Sequence, residues 1–292
     1  MTLELGILLA LLCAFVANLG FFYKHKGACS VPRVDVRHPL RSARELYSSR
    51  WFAIGMAVAC VSWALHVAAL AMAPMSDIQV ALAGGVVLIA VMAERMFGFR
   101  VGRRQWAGLV LTAGALVVLG ITLPATHGAH SRFSDVAMIS FEASLFGVGA
   151  LLIMGPRMGG QREHHGVMLG AAAGVLFGVS DTAIKALTGI ASAHGALGLA
   201  LSPWLLVAIV ASVVAFYASA RGLQDGQPVP VIAVTGTAAN IAGIAGGILV
   251  FGDPMAASPL GIVAQCLAFL AVIVASALMP APTRVAAVSA PA

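Results

Sequence analysis

Four ionisable side chains, His66, Glu142, Asp181 and Lys185, lie inside long apolar stretches of this chain. An ionisable group held in hydrocarbon is costly and is functional by default when it faces the interior of a helix bundle. Carboxylates there could take a cation or a proton, an imidazole could carry a proton, and an ammonium could answer an anion. Asp181 and Lys185 are spaced i, i+4 with the acid first, the favourable order for a pair on one helix face. A structural ion pair, or Lys185 reaching for the membrane surface, is the competing reading. For Glu142 the competing reading is a polar tether between a linking helix and the core, and for His66 a satisfied buried histidine. Asn18 and Asn240 are neutral polar candidates. Asn18 aligns with Ser180, the neighbour of Asp181, so Asn18 and Ser180 form a candidate pseudo-symmetric pair, with plain interhelical hydrogen bonding as the alternative. The candidate substrate or ion pathway is therefore Asn18, His66, Glu142, Ser180, Asp181, Lys185 and Asn240.

Catalysis has no comparable support. The chain has no phosphate-cradling Gly-Lys-Ser loop, no His-rich motif at metal-ligand spacing and no soluble domain that could hold an active site. No enzyme activity, cofactor or resident metal is expected. Glu163-His164-His165, and His127 with His130, read as solvated loop residues.

The elements that carry these residues follow from composition. With 60% hydrophobic and 10% charged residues and a mean hydropathy of +0.98, the chain is far more apolar than a soluble domain, whose charged fraction is about 25%. Crossing the hydrocarbon takes about 20 mostly apolar residues. Nine stretches qualify: Leu3–Tyr23, Trp51–Met72, Ile78–Phe97, Gln105–Leu123, Val136–Met154, Val167–Leu187, Leu199–Ala220, Val229–Val250 and Pro259–Met279. They are continuous and lack a two-residue period, which excludes a β-barrel and predicts an all-α polytopic membrane protein. Leu3–Tyr23 has no basic residue before it and reads as a retained anchor, not a cleaved signal.

Fifteen of the seventeen Lys and Arg residues fall in alternate gaps or the C-terminal tail, seven of them between Lys24 and Arg50. Basic loops stay in the cytoplasm, so the N-terminus is expected outside and the C-terminus inside, in the cytoplasmic (inner) membrane. The net charge of +6 is accounted for by this pattern and implies no nucleic-acid partner. After Pro39, Leu40, Ala43 and Tyr47 recur at helical spacing among arginines, which predicts either a short amphipathic helix on the membrane surface or a solvated basic loop. The three transmembrane cysteines and Cys29 offer no pair in an oxidising compartment, so no disulfide is expected.

The stretches repeat. Trp51 and Trp204 each open a helix; Phe97-Gly98 and Phe251-Gly252-Asp253 close related ones; and Phe15 to Lys24 can be laid over Phe177 to Ala186. This gives a 4+1+4 plan: a first four-helix repeat (1–123), a linking helix with its loops (124–166), a second four-helix repeat (167–280) and a short cytoplasmic tail (281–292). The odd linker inverts the second repeat, the arrangement by which many secondary transporters build two states around one midplane site. Gly170, Gly174 and Gly178, and Gly243 with Gly247, form stripes suited to close helix packing or to hinge motion. Pro228 and Pro230 begin the eighth stretch, in a first turn where proline is tolerated; a broken helix there is the alternative.

Ala68-Ala69-Leu70-Ala71-Met72-Ala73-Pro74 to Gln79, with Glu94-Arg95, resembles the first half of the drug/metabolite transporter superfamily. Ala220-Arg221-Gly222-Leu223, Pro228 to Ile232, Ala239-Asn240 and Gly246 to Asp253 resemble its second half. The superfamily's EamA-like members usually have ten helices; nine is a plan similar to that of the NIPA-like magnesium transporters. Each half resembles a small multidrug resistance protein, but Val16 and Phe177 stand where the proton-coupling Glu of those proteins would be. The resemblance implies a secondary transporter of a small organic solute or metabolite working by alternating access. The alternatives are a magnesium or divalent-cation transporter and a non-transport scaffold or lipid-carrier-handling subunit. The expected partners are a small-molecule solute or cation, the lipid bilayer and, in one reading, a second copy of the chain as a homodimer.

Overall fold

A computed structural model describes residues 2–35, 37–83, 85–98, 102–122, 131–155 and 164–277. Its elements are α1 (Thr2–Ala28), α2 (Pro39–Ser48), α3 (Arg50–Met72), α4 (Met75–Ala83), α5 (Val86–Met96), α6 (Arg103–Thr122), α7 (Asp135–Met154), α8 (His165–Leu201), α9 (Pro203–Asp225), α10 (Pro228–Leu249) and α11 (Pro259–Ala277). The described residues contain no strand. Six of these helices, α1, α3, α7, α8, α9 and α10, are long and apolar enough to cross a membrane. The protein is a multi-pass, all-helical membrane protein, as a cytoplasmic-membrane location requires. His127, His130, Glu163, Arg157, Arg162 and Arg284 lie outside the described residues.

Helices α8 and α10 form the centre, with 67% of each membrane-length window buried against 22% for α7. Their small residues explain the approach. A Cβ on Gly174 would come within 2.2 Å of the Thr235 carbonyl oxygen, and one on Gly178 within 2.3 Å of the Ala242 Cβ. Thr235 Oγ1 donates to the Gly170 carbonyl across the same seam at 3.0 Å. Around this centre α1 packs along α3, α8 along α9, α4 against α10, α6 against α11, and α7 against α8.

Three expectations change. The stretch expected as one helix over Ile78–Phe97 is two, α4 and α5, interrupted before Val86. Gly85 is the reason: a Cβ there would lie 2.6 Å from that of Ala14, and its carbonyl accepts a 3.1 Å bond from Asn18 Nδ2. Inside a membrane an interrupted helix survives only where its freed backbone groups find such partners. The discontinuity conceived at Pro228 and Pro230 is not there: both prolines sit in the first turn of α10, where a missing N–H costs no helix bond, and α10 runs unbroken to Leu249. Finally, α8 continues past Leu187 to a kink at Gly195, whose φ of 66° suits glycine, and α9 starts at Pro203, not Leu199.

The basic first loop does form a helix, α2. It turns Ser42 and Leu46 inward, leaving Leu40 85% and Tyr47 49% exposed, so part of the Leu40–Tyr47 stripe faces outward from the bundle.

Candidate functional site

A cavity of about 220 Å³ lies where α1, α3, α4, α8 and α10 converge. Its polar lining comes from Asn18 and Lys24 of α1, Ser62 and His66 of α3, Gln79 of α4, Asp181 of α8, and Thr235 and Asn240 of α10. Asp181 is its centre. Gln79 Nε2 donates to Asp181 Oδ2 at 3.1 Å, and His66 Nε2 lies 3.0 Å from Asp181 Oδ1. That second contact is an attraction between charges when the ring is protonated, because neither imidazole nitrogen is aimed at an acceptor as a hydrogen bond. Asn240 has no hydrogen-bond partner among the described residues and lines the cavity wall. The wall beside His66 is set by Cys13 and Ser62: Ser62 Oγ donates to the Cys13 carbonyl at 3.2 Å.

Room for Gln79 is made by glycine. A Cβ on Gly243 of α10 would stand 2.5 Å from the Gln79 side chain, so this position lets α4 lie close enough for its amide to reach Asp181. The interruption at Gly85 completes the same wall, since Asn18 bonds from inside the cavity to a carbonyl that also accepts from Leu88 N at 3.1 Å.

The remaining candidate residues fall elsewhere. Lys185 is fully buried, yet it does not pair with Asp181 one turn away. Its ammonium donates to the Leu70 and Ala73 carbonyls at 2.7 and 2.8 Å, the exposed negative end of the α3 dipole. Glu142 is buried on α7 with Oε1 lacking a hydrogen-bond partner, and it does not line the Asp181 cavity. Ser180 Oγ pairs at 2.8 Å with Ser212 Oγ of α9 and not with Asn18. The pair lines an adjoining, larger cleft.

Sequence reasoning passed over Gln79, Lys24, Asp253 and Asp225 as functional candidates. Asp253 Oδ2 accepts both Ser76 N (2.9 Å) and Ser76 Oγ (2.7 Å) at the start of α4. Asp225, at the end of α9, gathers Arg33, Arg221 and His165, each at 2.8 Å. Gln79 carried a usable signal, a lone amide at the start of an apolar run. Asp225 carried none, because a carboxylate at a helix end beside arginines is what any solvated loop offers.

Over 284 residues the chain is 20% identical to a protein from Arabidopsis thaliana described as probable magnesium transporter NIPA9, covering 91% of this chain and 79% of the plant protein. No family model matches the chain, and no solved structure matches it. The similarity is distant and runs to a NIPA-like membrane transporter, not specifically to the EamA-like members.

Proposed function

We propose that this protein is a secondary transporter of a divalent cation of the magnesium class, with the Asp181 cavity as its transit site. The observation that carries the reading is a largely buried carboxylate at the meeting of five helices, flanked by amide groups from three of them. Magnesium gives up its waters reluctantly and is usually bound through one or two carboxylates with much of its shell retained. At about 30 Å³ per water, the cavity's 220 Å³ is enough for a cation with its waters. Among the described residues no three His, Cys, Asp or Glu side chains cluster to hold a bare ion, which favours a hydrated cargo held by Asp181 with Gln79, Asn240 and Asn18 around it. His66 would compete for the same carboxylate when protonated, so that a proton and the cation exclude each other. The similarity to a protein described as a probable magnesium transporter supports the same reading.

The nine-span, 4+1+4 inverted arrangement with the N-terminus outside belongs to this proposal. Its support is the matching of packing partners, α1 with α3 as α8 with α9, α4 against α10 and α6 against α11, together with the one-sided basic loops.

A second reading, a small organic solute, is favoured by one observation. Lys24 lines the same cavity as Asp181, and opposite charges in one chamber suit a zwitterion. The two readings separate in sealed proteoliposomes with an entrapped magnesium indicator. The cation reading expects influx that Asp181→Asn lowers at least tenfold and Glu142→Gln retains. No influx with folded wild-type protein would overturn it and leave the organic solute.

A further inference from the structure

Beside the Asp181 cavity lies a larger cleft of about 730 Å³, floored by α8 and walled by α3 and α9. Its lining is almost wholly apolar, with Phe52, Met56, Val67, Ile184, Leu205 and Phe216 among its walls. Ser180 and Ser212 satisfy one another, so they ask nothing of an occupant. Trp63 and Val213 on the two walls are 57% and 49% exposed, which places the mouth of the cleft on the lateral, lipid-facing surface. From the level of Phe52 to that of Val67 it follows fifteen residues of α3, roughly 22 Å at 1.5 Å per residue. That is a long, narrow, apolar slot.

One cation stands in it. Lys24 lines the cleft as well as the smaller cavity. Among the described residues its ammonium has no hydrogen bond or ion pair; it rests 3.8 Å from the centre of the Phe21 ring. The Cys60 side chain also lies near it, but with no carboxylate paired to it among the described residues the ammonium lacks the anion that such a position calls for. Its depth is informative. The Lys24 backbone packs against Gly55, where a Cβ would come within 2.7 Å of the Lys24 nitrogen. Gly55 is five residues into α3, about 8 Å from the helix start. The polar zone on each side of a bilayer is about 5–8 Å deep, so with the start of α3 taken as its outer edge the Lys24 backbone falls near the boundary between phosphates and acyl chains.

We propose that this cleft is a binding site for an anionic phospholipid drawn sideways from the bilayer. Its phosphate rests on the Lys24 ammonium and one acyl chain lies along the α3–α9 slot toward Leu205. Charge complementarity at one end and apolar length along the rest define the ligand class, and the lateral mouth makes the membrane itself the source. A hydrated cation held at Asp181 leaves this site free, whereas a zwitterion in the smaller cavity would compete with the lipid for Lys24, which lines both.

Native mass spectrometry of the full chain released from detergent, titrated with phosphatidylglycerol and with phosphatidylcholine of identical chains, tests this directly. Wild type is expected to retain phosphatidylglycerol about tenfold more tightly than phosphatidylcholine. Lys24→Met should erase that preference and Lys24→Arg should keep it. Val213→Trp, on an exposed wall where folding is little at risk, should weaken both lipids by narrowing the slot. Equal retention of the two lipids by wild type would overturn the proposal. So would a preference that survives Lys24→Met, which would assign the phosphate to the arginines around α2, or unchanged binding in Val213→Trp.

Discussion

Two ends of the bundle tie later parts of the chain to earlier ones by opposite means. At the α3–α4 turn, two buried charges from the later part of the chain grip an earlier hairpin. Lys185 holds the Leu70 and Ala73 carbonyls at the end of α3, and Asp253 holds the backbone amide and hydroxyl of Ser76 in the first turn of α4. Each charge faces the helix pole of opposite sign. Lys185 and Asp253 are 0% and 3% exposed. At the α2 end the tie is a wet one. Asp225 shares its two oxygens among Arg33, Arg221 and His165, whose side chains are 62%, 23% and 25% exposed. Around it Gln224 accepts from Val34 N and donates to the Ala28 and Pro32 carbonyls, and Arg221 donates to the Val34 carbonyl. A dry tie of two charges against backbone is all or nothing. A wet tie of many partial contacts loosens by degrees and feels salt. Under the proposed transport function one end would have to break at a time, and this difference would make the α2 end the one that opens more readily.

The sharpest way to break the comparison is Lys185→Met. It preserves volume but leaves two buried carbonyls without donors and removes the cation with which Asp253 interacts. Orphaned buried polar groups cost about 1–3 kcal/mol apiece, so a loss of about 3 kcal/mol is expected, read as a clear fall in melting temperature in detergent. A melting point within a degree of wild type would mean that the α3–α4 end is not a dry tie. Asp253→Asn should cost less, about 1–2 kcal/mol, because the amide oxygen can still accept from Ser76 N while the charge at the α4 pole is lost. A cost equal to that of Lys185→Met would make the two charges a single unit.

The dry tie also marks where sequence reading stops. Lys185 invited pairing with Asp181 because i, i+4 residues share a helix face, but a long side chain follows the best acceptor, and the end of α3 supplied two. Which helix end lies opposite a given turn of α8 is a tertiary fact without a local signature. His66 and Asp181 stood out because a charge in an apolar run must find an interior partner, and the structure brings these two together. Gln79 needed Gly243 on a distant helix to reach them, and no spacing rule links positions so far apart. The interruption of the third stretch was hidden by hydropathy, which is continuous across it; the Gly84-Gly85 pair in the sequence was its one local sign. The long apolar runs themselves were legible because length and composition are what the bilayer selects.

At the wet end, Asp225→Asn neutralises a carboxylate that is itself only 6% exposed but whose partners are partly exposed, so its stability cost should be about 1–2 kcal/mol, with a larger effect on access than on melting. Cys29 reports that access. Its thiol lies 3.6 Å from the Leu223 carbonyl, two residues from Asp225, and partial burial raises its pKa above the ordinary thiol value. The thiolate is the reactive form, so at neutral pH a raised pKa slows alkylation. Freeing the loop returns the thiol toward its ordinary value. Asp225→Asn should therefore speed maleimide labelling of Cys29 several-fold at pH 7, with Cys29→Ser as the control. An unchanged rate would show that Asp225 does not hold this end closed.

Arg33→Gln gives the smallest effect and discriminates most finely between the two kinds of tie. Arg33 contributes two contacts to Asp225, through Nε and Nη2, both at 2.8 Å, but its side chain is 62% exposed. An exposed pair is worth about 0–1 kcal/mol and is screened by salt. Arg221 and His165 would still hold the carboxylate from their own sides. Labelling of Cys29 should then rise less than twofold at low ionic strength. The difference from wild type should vanish near 1 M salt, where the Debye length is about 3 Å, while Asp225→Asn should still label faster than wild type because its bonds to Arg221 and His165 are weakened as well. If instead Arg33→Gln matches Asp225→Asn at every salt concentration, the end is held by one bridge and not by a shared carboxylate, and the contrast with the dry tie reduces to burial alone.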